Sequence, residues 1–159
     1  MRNMKGFTLV ELLAVIVILA IVALVTAPVI LNTINDSRIS GAKDKAWGTI
    51  EAVKTSFAIV QSDEGATLPL TVDFANGGKI TSTKSVTMSG DKPVEGKVVI
   101  ADTSGTITAV GLKFTGNGTF YCTTNKTGNK MCCLPKSEDL TSANCADKKQ
   151  FGTNEELAS

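Results

Sequence analysis

Four cysteines are the residues of this sequence best able to form specific bonds, and Cys122, Cys132, Cys133 and Cys145 all lie in the last quarter of the chain. In an oxidising compartment such a cluster predicts disulfides that stabilise a small domain. A zinc site is the alternative, but the spacing lacks the paired Cys-x-x-Cys units of such sites. The adjacent Cys132 and Cys133 form the least favourable bond because it would close a strained ring. Crossed and sequential pairings both remain open.

The rest of the composition offers little for catalysis. Histidine is absent, which removes the side chain most used for proton transfer near neutral pH and the commonest metal ligand. No cysteine has a visible activator, and no carboxylate pair or glycine-rich phosphate loop stands where an enzyme would need one. The net charge of +1, from 16 basic and 15 acidic residues, provides no strong field for nucleic acid. We therefore expect no enzyme, no metal and no cofactor.

Glu11 is the charged residue whose position most needs an explanation. It stands directly before residues 12–25, which carry no polar side chain, and the apolar stretch continues to Leu31. At about 1.5 Å per residue, residues 12–31 cover the roughly 30 Å hydrocarbon layer of a membrane. An ionisable group at the start of such a span is costly and needs a partner.

The flanks of this span predict its orientation. Arg2 and Lys5 precede it, which favours a cytoplasmic N-terminus and places the rest of the chain outside, where disulfides form. A secretory signal peptide cut after Ala27 is one alternative. Pro28 would follow that cut directly, which is an unfavourable position. A second alternative, an ordinary single-span anchor, explains the hydrophobicity but not Glu11.

The segment from Lys5 to Leu12 reads KGFTLVEL and directly precedes the apolar run. It resembles the class III signal of type IV pilins and pseudopilins, closely over about the first third of the chain and loosely beyond. The resemblance implies that a prepilin peptidase removes residues 1–6 as a leader, cutting between Gly6 and Phe7 and methylating the new Phe7 amine. Glycine lacks a Cβ, which suits close approach of a protease to the backbone.

The resemblance also implies how the subunit assembles. Glu11 would pair with the Phe7 amine of a neighbouring subunit and set the register of bundled helices, although desolvation offsets part of the attraction. The implied partners are copies of the chain itself, the membrane before assembly, the prepilin peptidase, and an assembly ATPase with its platform machinery. The precursor is expected to be a single-pass protein of the cytoplasmic (inner) membrane with its N-terminus inside. The mature form is expected in an extracellular pilus.

Two helical segments are predicted: residues 7–31 as the transmembrane and filament-core helix, and residues 32–62 as an amphipathic helix. Pro28 predicts a kink or local melting because it removes a backbone donor, and the family has a proline at this point too. Gly41 and Gly48 are further weak points. In the second segment apolar residues recur at steps of three and four, which predicts one face docked on a sheet. They are Ile39, Ala42, Ala46, Ile50, Val53, Phe57 and Val60.

Residues 63–159 are expected to form a β-sheet head domain with a Cys-rich C-terminal loop. Together with the long helix, this head domain predicts the α+β class and, by resemblance, the pilin fold. Short β-branched segments bounded by Gly, Asn and Asp predict an antiparallel sheet of about four strands. The candidate strands are 70–74, 84–88, 97–101, 106–114 and 119–122. The DTSG loop at 102–105 predicts a hairpin, and disulfides bound the loop from Cys122 to Cys145.

The favoured function is structural: a repeating subunit of a type IV pilus, most like a bacterial major pilin, that serves adhesion, motility or DNA uptake. A pseudopilin of a type II secretion or competence system is the alternative within the same family. An adhesin or DNA-binding minor pilin, with a host surface or DNA as its partner, belongs to a different functional class. Basic residues of the Cys-rich loop are candidates for DNA contact, although Glu138, Asp139 and Asp147 dilute them. They are Lys126, Lys130, Lys136, Lys148 and Lys149.

Overall fold

The computed structural model describes residues 6–64, 67–81, 84–102, 106–116 and 118–159. The leader residues 1–5, Gly65 of the first predicted turn, residues 103–105 of the predicted hairpin loop and Asn117 of the last predicted turn lie outside the described residues. The chain divides into two compact units, Met1–Ser37 and Arg38–Ser159. Each unit is described separately below.

The first unit is the beginning of helix α1, which as a whole runs over Leu9–Glu64. Its large apolar side chains, from Phe7 to Ile34, are all exposed, at fractions between 42% and 86%. Within the described ranges, α1 is the one helix long and apolar enough to cross a membrane, judged by length and composition. Nothing in the unit itself buries this surface.

Helix α1 continues without interruption through Pro28, so local melting, one of the two outcomes predicted there, does not occur in the single chain, and the kink stays a prediction. Proline removes a single backbone donor, and the hydrogen bonds before and after it hold the helical path. A neighbouring side chain adds a bond to the same stretch, because the Thr26 hydroxyl donates to the Val22 carbonyl at 2.9 Å. The loss of one bond in a helix of 56 residues does not end it.

The second unit combines the rest of α1 with a five-stranded antiparallel sheet and a short helix α2. The strands follow one another in the sheet in sequence order, so each pairs with its neighbours in the chain. The elements are β1 (Leu70–Asp73), β2 (Glu95–Ile100), β3 (Ile107–Phe114), β4 (Phe120–Thr124), β5 (Met131–Leu134) and α2 (Ser142–Asp147). The expected α+β class and the antiparallel sheet of the pilin fold are confirmed.

The main core lies between α1 and one face of the sheet. The predicted helical face is the buried one, since six of its seven residues are buried and Ile39 packs against them partly buried. Ala46 and Val53 are fully buried, and they share the core with Val98 and Leu112 of the sheet. The apolar periodicity therefore identified the docking face correctly, and this confirms that part of the sequence prediction.

A close approach of β2 and β3 requires glycine. Gly96 has a φ of +101°, and a Cβ built there would lie 2.5 Å from the Gly111 carbonyl oxygen. The register between the two strands shifts between Glu95 and Lys97, which is the pattern of a β-bulge. The buried alternation of β3 changes phase at this bulge, so that Ile107 and Ala109 before it and Leu112 and Phe114 after it are all buried.

One predicted strand, at 84–88, is wrong. This segment forms only an isolated bridge between Lys79 and Ser85. Its backbone bonds the short segment 78–81, where the Val86 N–H donates to the Gly78 carbonyl at 2.8 Å, and it bonds the helix, where the Thr87 N–H donates to the Ser56 hydroxyl of α1 at 3.2 Å. The β-branched residue Val86 of this segment is therefore buried in the core with α1, and the segment has no place in the sheet.

Two elements were not predicted. Strand β5 reads MCCL, which lacks the β-branched residues that mark strands, so the sequence pattern places it in the disulfide loop. Helix α2 spans six residues, too few to show a helical period. The Thr141 hydroxyl caps α2 by accepting from the Asn144 N–H at 3.2 Å. The sheet therefore has five strands where about four were expected.

Gly48→Ala tests whether the glycine in α1 serves this chain's own fold. A Cβ at Gly48 would meet no atom within 4 Å, and alanine favours a helix over glycine by about 1 kcal/mol. We expect Gly48→Ala to raise the free energy of unfolding by about that amount in urea titrations of the full chain in detergent. Gly96→Ala is the matched control and should destabilise, because its Cβ has no space. If Gly48→Ala instead lowered the free energy of unfolding, the fold of the chain itself would require the glycine.

Candidate functional site

The start of α1 carries a reciprocal set of hydrogen bonds between Thr8 and Glu11. One carboxylate oxygen of Glu11, Oε2, accepts from the Thr8 backbone N–H at 2.8 Å and from the Thr8 hydroxyl at 3.0 Å. In return, the Thr8 hydroxyl oxygen accepts from the Glu11 N–H at 3.3 Å. The pattern Thr-x-x-Glu is that of a capping box, which satisfies donors that the first helical turn leaves unpaired. Thr8 thus fixes where the Glu11 carboxylate points.

The Glu11 carboxylate can accept further hydrogen bonds in this arrangement. Its second oxygen, Oε1, has no hydrogen-bond partner within the part of the chain that the structure describes. The side chain is exposed, and so are Gly6 and Phe7 directly before it, with Phe7 at 86%. A negative group at this end of a helix also interacts favourably with the helix dipole. The site can therefore accept a further cation without losing its present bonds.

The structure brings three of the predicted site residues together and leaves the others apart. Gly6, Phe7 and Glu11 lie within the first turn and its approach, whereas Pro28 lies several turns along α1 and the cysteines lie in the second unit. Thr8 is the residue that the sequence reasoning missed. Its signal was the spacing Thr-x-x-Glu immediately before an apolar run, which is a helix-start signature.

The four cysteines form the crossed pair of disulfides, Cys122 with Cys133 and Cys132 with Cys145. No free thiol remains among the cysteines, all of which are described, so none is available to bind zinc. Alternation along β5 sends its two neighbouring cysteines to opposite faces of the sheet. Cys133 belongs to the main core, while Cys132 belongs to a smaller cluster with Phe151. The two bonds therefore anchor β5 on both faces.

Three of the five lysines that the sequence offers for DNA contact form ion pairs with acidic residues. Lys130 Nζ lies 2.8 Å from Glu155 Oε1, Lys126 pairs with Glu156, and Lys136 pairs with the nearby Glu138 at 3.7 Å. The Lys130 contact lowers the pKa of Glu155, with help from the Gly152 N–H, and the Lys126 contact lowers the pKa of Glu156. These pairs use up much of the positive charge that a phosphate backbone would need.

The part of the chain that matches a known sequence motif is the segment that contains the capping box. Residues 1–27 match the prokaryotic N-terminal methylation motif. This methylation motif is the class III signal of type IV pilins and pseudopilins, so the resemblance seen in KGFTLVEL is confirmed. No curated protein and no solved structure matches the chain.

The methylation motif supports a precursor of the type IV pilin or pseudopilin type, which is a structural class of protein and not an enzyme class. It implies processing by a prepilin peptidase and assembly into a filament. The exposed apolar part of α1 is consistent with membrane anchoring of the precursor. The match to the methylation motif ends at residue 27, so any role of the head domain has to be inferred from the structure of that domain.

Proposed function

We propose that this chain is the structural subunit of a type IV pilus, cleaved after Gly6, methylated at the Phe7 amine and polymerised through α1 into a surface filament. The observation that carries the proposal is the exposed apolar surface of the first unit, which runs from Phe7 to Ile34 and contains the capped Glu11. A copy of this surface on each subunit provides both a membrane anchor and a packing surface. Adhesion, motility or DNA uptake would be properties of the filament.

The exposed apolar side chains supply the driving force for membrane insertion and for helix packing in the filament. Burying one large aliphatic side chain is worth roughly 1.5–3 kcal/mol relative to leaving it in water. The side chains from Leu9 to Leu31 find no cover in their own unit, so they need lipid or other helices around them. Both surroundings are apolar, and the same helix can therefore leave one for the other without passing through water.

Cleavage creates the cation that Glu11 can accept. In the precursor the Phe7 nitrogen is a neutral peptide group, whereas in the mature chain it is a positive amine. Two unit charges about 4 Å apart attract by roughly 4 kcal/mol at an effective dielectric near 20, and desolvation offsets part of this. The unused Glu11 Oε1 is the acceptor for the Phe7 amine of a neighbouring copy. The pair sets the register between helices and makes assembly depend on processing.

Pro28 has an assembly role in this proposal. Because it lacks an N–H, the Leu24 carbonyl has no donor from the fourth residue ahead, and the helix is weakest at this turn. Helix α1 nevertheless continues there in the single chain. The turn at Pro28 is where α1 can adjust its path when it packs against other copies.

N-terminal mass spectrometry of sheared surface filaments tests the proposal. The dominant protein should begin at Phe7 and carry a methyl group on its amine. A Gly6→Glu variant should keep its leader, remain in the membrane and form no filaments, while Gly41→Ala, which leaves the cleavage site unchanged, should be processed normally. A chain beginning at Pro28 would instead indicate conventional secretion and contradict the proposal.

The abundance of the chain in the same preparation distinguishes the members of this class. A major pilin dominates the sheared filament, whereas a minor pilin or a displayed adhesin forms a trace component. A pseudopilin carries the same N-terminal motif and would be recovered with secretion or competence activity and without long surface filaments. The paired lysines of the head domain give no support to a DNA-binding role, so filament subunit is the function that we propose.

A further inference from the structure

Strands β3 and β4 separate from one another towards the far end of the sheet. Their regular pairing ends at Leu112. Beyond it, the Gly111 N–H donates to the Thr123 hydroxyl at 2.9 Å and the Ala109 N–H donates to the Thr124 hydroxyl at 3.0 Å. Side-chain hydroxyls thus replace the carbonyls that β4 would normally offer. The backbone edge of the chain from Thr124 onwards is left open for another segment.

Residues 153–159, called here the closing segment, lie against this open edge, where residues 156–158 form an isolated antiparallel bridge. The Ala158 N–H donates to the Thr124 carbonyl at 2.9 Å, and the Lys126 N–H donates to the Glu156 carbonyl at 2.9 Å. An isolated bridge joins the two residues between these bonds, Asn125 and Leu157. The open edge, residues 124–126, therefore recognises a short extended segment mainly through backbone groups.

The closing segment makes few apolar contacts with its own head domain. Ala158 is buried, and the half-buried Leu157 packs against the smaller cluster and donates its N–H to the Ser142 hydroxyl at 3.2 Å, but most of the other side chains of the segment are exposed. Two ion pairs, Lys126 with Glu156 and Lys130 with Glu155, hold it on the solvent side, and exposed pairs of this kind contribute little. The firm apolar anchor, Phe151, lies before the segment.

We propose that the closing segment is exchanged between neighbouring heads, so that residues 153–159 of one copy fill the open edge of the next. The inference rests on the proposed function, which brings many copies of this chain side by side. Exchange preserves the backbone bonds to residues 124–126 and both ion pairs, because each edge receives the same sequence that it holds in the single chain. The partner is thus an extended segment with two adjacent acids opposite Lys126 and Lys130, followed by Leu and Ala.

Crowding in a filament favours this exchange. Once neighbouring subunits are held by their helices, a segment of the next head is present at a high effective concentration. Displacing the resident copy breaks its contacts with the head, and the incoming copy remakes all of them except the bonds between Gly152 and Glu155 of one chain. Only the chain from Gly152 onwards has to take a different path. Exchange would link neighbouring heads through strand pairing in addition to the contacts between helices.

Zero-length cross-linking of unaltered protein tests the inference. Cells are sheared, moved from medium with light nitrogen to medium with heavy nitrogen, and allowed to regrow filaments from the mixed membrane pool. A carbodiimide then joins Lys126 to Glu156 and Lys130 to Glu155 through amide bonds, and mass spectrometry reads the isotopes of the two peptides. Lys136 and Glu138 are the matched control, because they are two residues apart and cross-link within one chain.

Exchange predicts cross-links that join a light peptide to a heavy one, rising to about half of all Lys126–Glu156 cross-links when the two pools are equal and exchange is complete. Detergent-solubilised subunits should give cross-links of a single isotope only. If filaments form and the Lys126–Glu156 cross-links are no more mixed than those of Lys136 and Glu138, the exchange is wrong and the filament function stands. If no filaments form, the proposed function fails, and the exchange fails with it.

Discussion

Glu11→Ala is expected to abolish surface filaments while leaving the amount of processed, membrane-inserted protein unchanged. The variant removes the carboxylate but none of the apolar residues of α1, so insertion into the membrane keeps its driving force. The Phe7 amine would then enter an apolar helix bundle without a counter-charge, and burying an unpaired charge costs several kcal/mol. Every 1.4 kcal/mol lost per subunit lowers the association constant about tenfold. Quantitative immunoblots of sheared filaments and of membranes measure both pools.

Glu11→Gln and Thr8→Ala separate the charge of Glu11 from its capping role. Glutamine can still accept from the Thr8 N–H as part of a capping box, so this variant removes the charge and leaves the cap. Thr8→Ala removes the hydroxyl, which both donates to and accepts from Glu11, but keeps the charge. If the pairing with the Phe7 amine is what matters, Glu11→Gln should lose filaments almost as fully as Glu11→Ala. Thr8→Ala should lower the stability of the helix by only about 1 kcal/mol, the typical loss on removing a cap.

Normal filaments from Glu11→Gln would contradict the pairing role. An equal loss of filaments in Thr8→Ala and Glu11→Gln would show that assembly depends on the capped helix start and not on the charge of Glu11. Retention of the uncleaved precursor in either variant would show that the substitution acts on processing. Precursor and mature chain differ by the leader peptide and separate on a gel, so the same samples decide between these readings.

The beginning of the chain could be predicted from its sequence because its signals are local. KGFTLVEL and the apolar run each occupy consecutive residues, and their chemistry does not depend on distant contacts. The apolar stripe of α1 was equally readable, since helical period fixes which side chains share a face. The residue that was missed, Thr8, was also readable, because the spacing Thr-x-x-Glu is itself a helix-start signal.

The far part of the head domain could not be predicted because distant contacts decide it. Strand β5 has no β-branched residue, and it becomes a strand because it pairs with β4 and carries two disulfides. The side chain of Gln150 completes that strand's outer edge: its Oε1 accepts from the Cys133 N–H at 2.9 Å, and its Nε2 donates to the Cys133 carbonyl at 3.2 Å. No sequence pattern predicts that the side chain of one glutamine makes the hydrogen bonds that a further strand would make. The segment 84–88 failed in the opposite direction, because its strand-like pattern is satisfied by α1.

The two disulfides are expected to have different effects when each is removed, although each bond alone is worth roughly 2–4 kcal/mol. Cys122 and Cys133 are fully buried in the core between α1 and the sheet. Replacing both with alanine should lower the stability of the whole second unit, because the lost bond joins β4 to β5 and the smaller side chains leave space beneath α1. A single cooperative urea transition at a lower midpoint is the expected result for this variant.

Replacing Cys132 and Cys145 with alanine should instead loosen a local region. This bond ties α2 to β5 in the smaller cluster, which contains Leu134 and Phe151 and lies on the other face of the sheet. Limited proteolysis should cut this variant early, between residues 135 and 159, while the sheet and α1 stay protected. The same digestion of the Cys122 and Cys133 variant should show no early local cut. Identical digestion patterns in the two variants would mean that the region around α2 unfolds together with the main core, and that β5 does not divide the head domain into two separately stabilised faces.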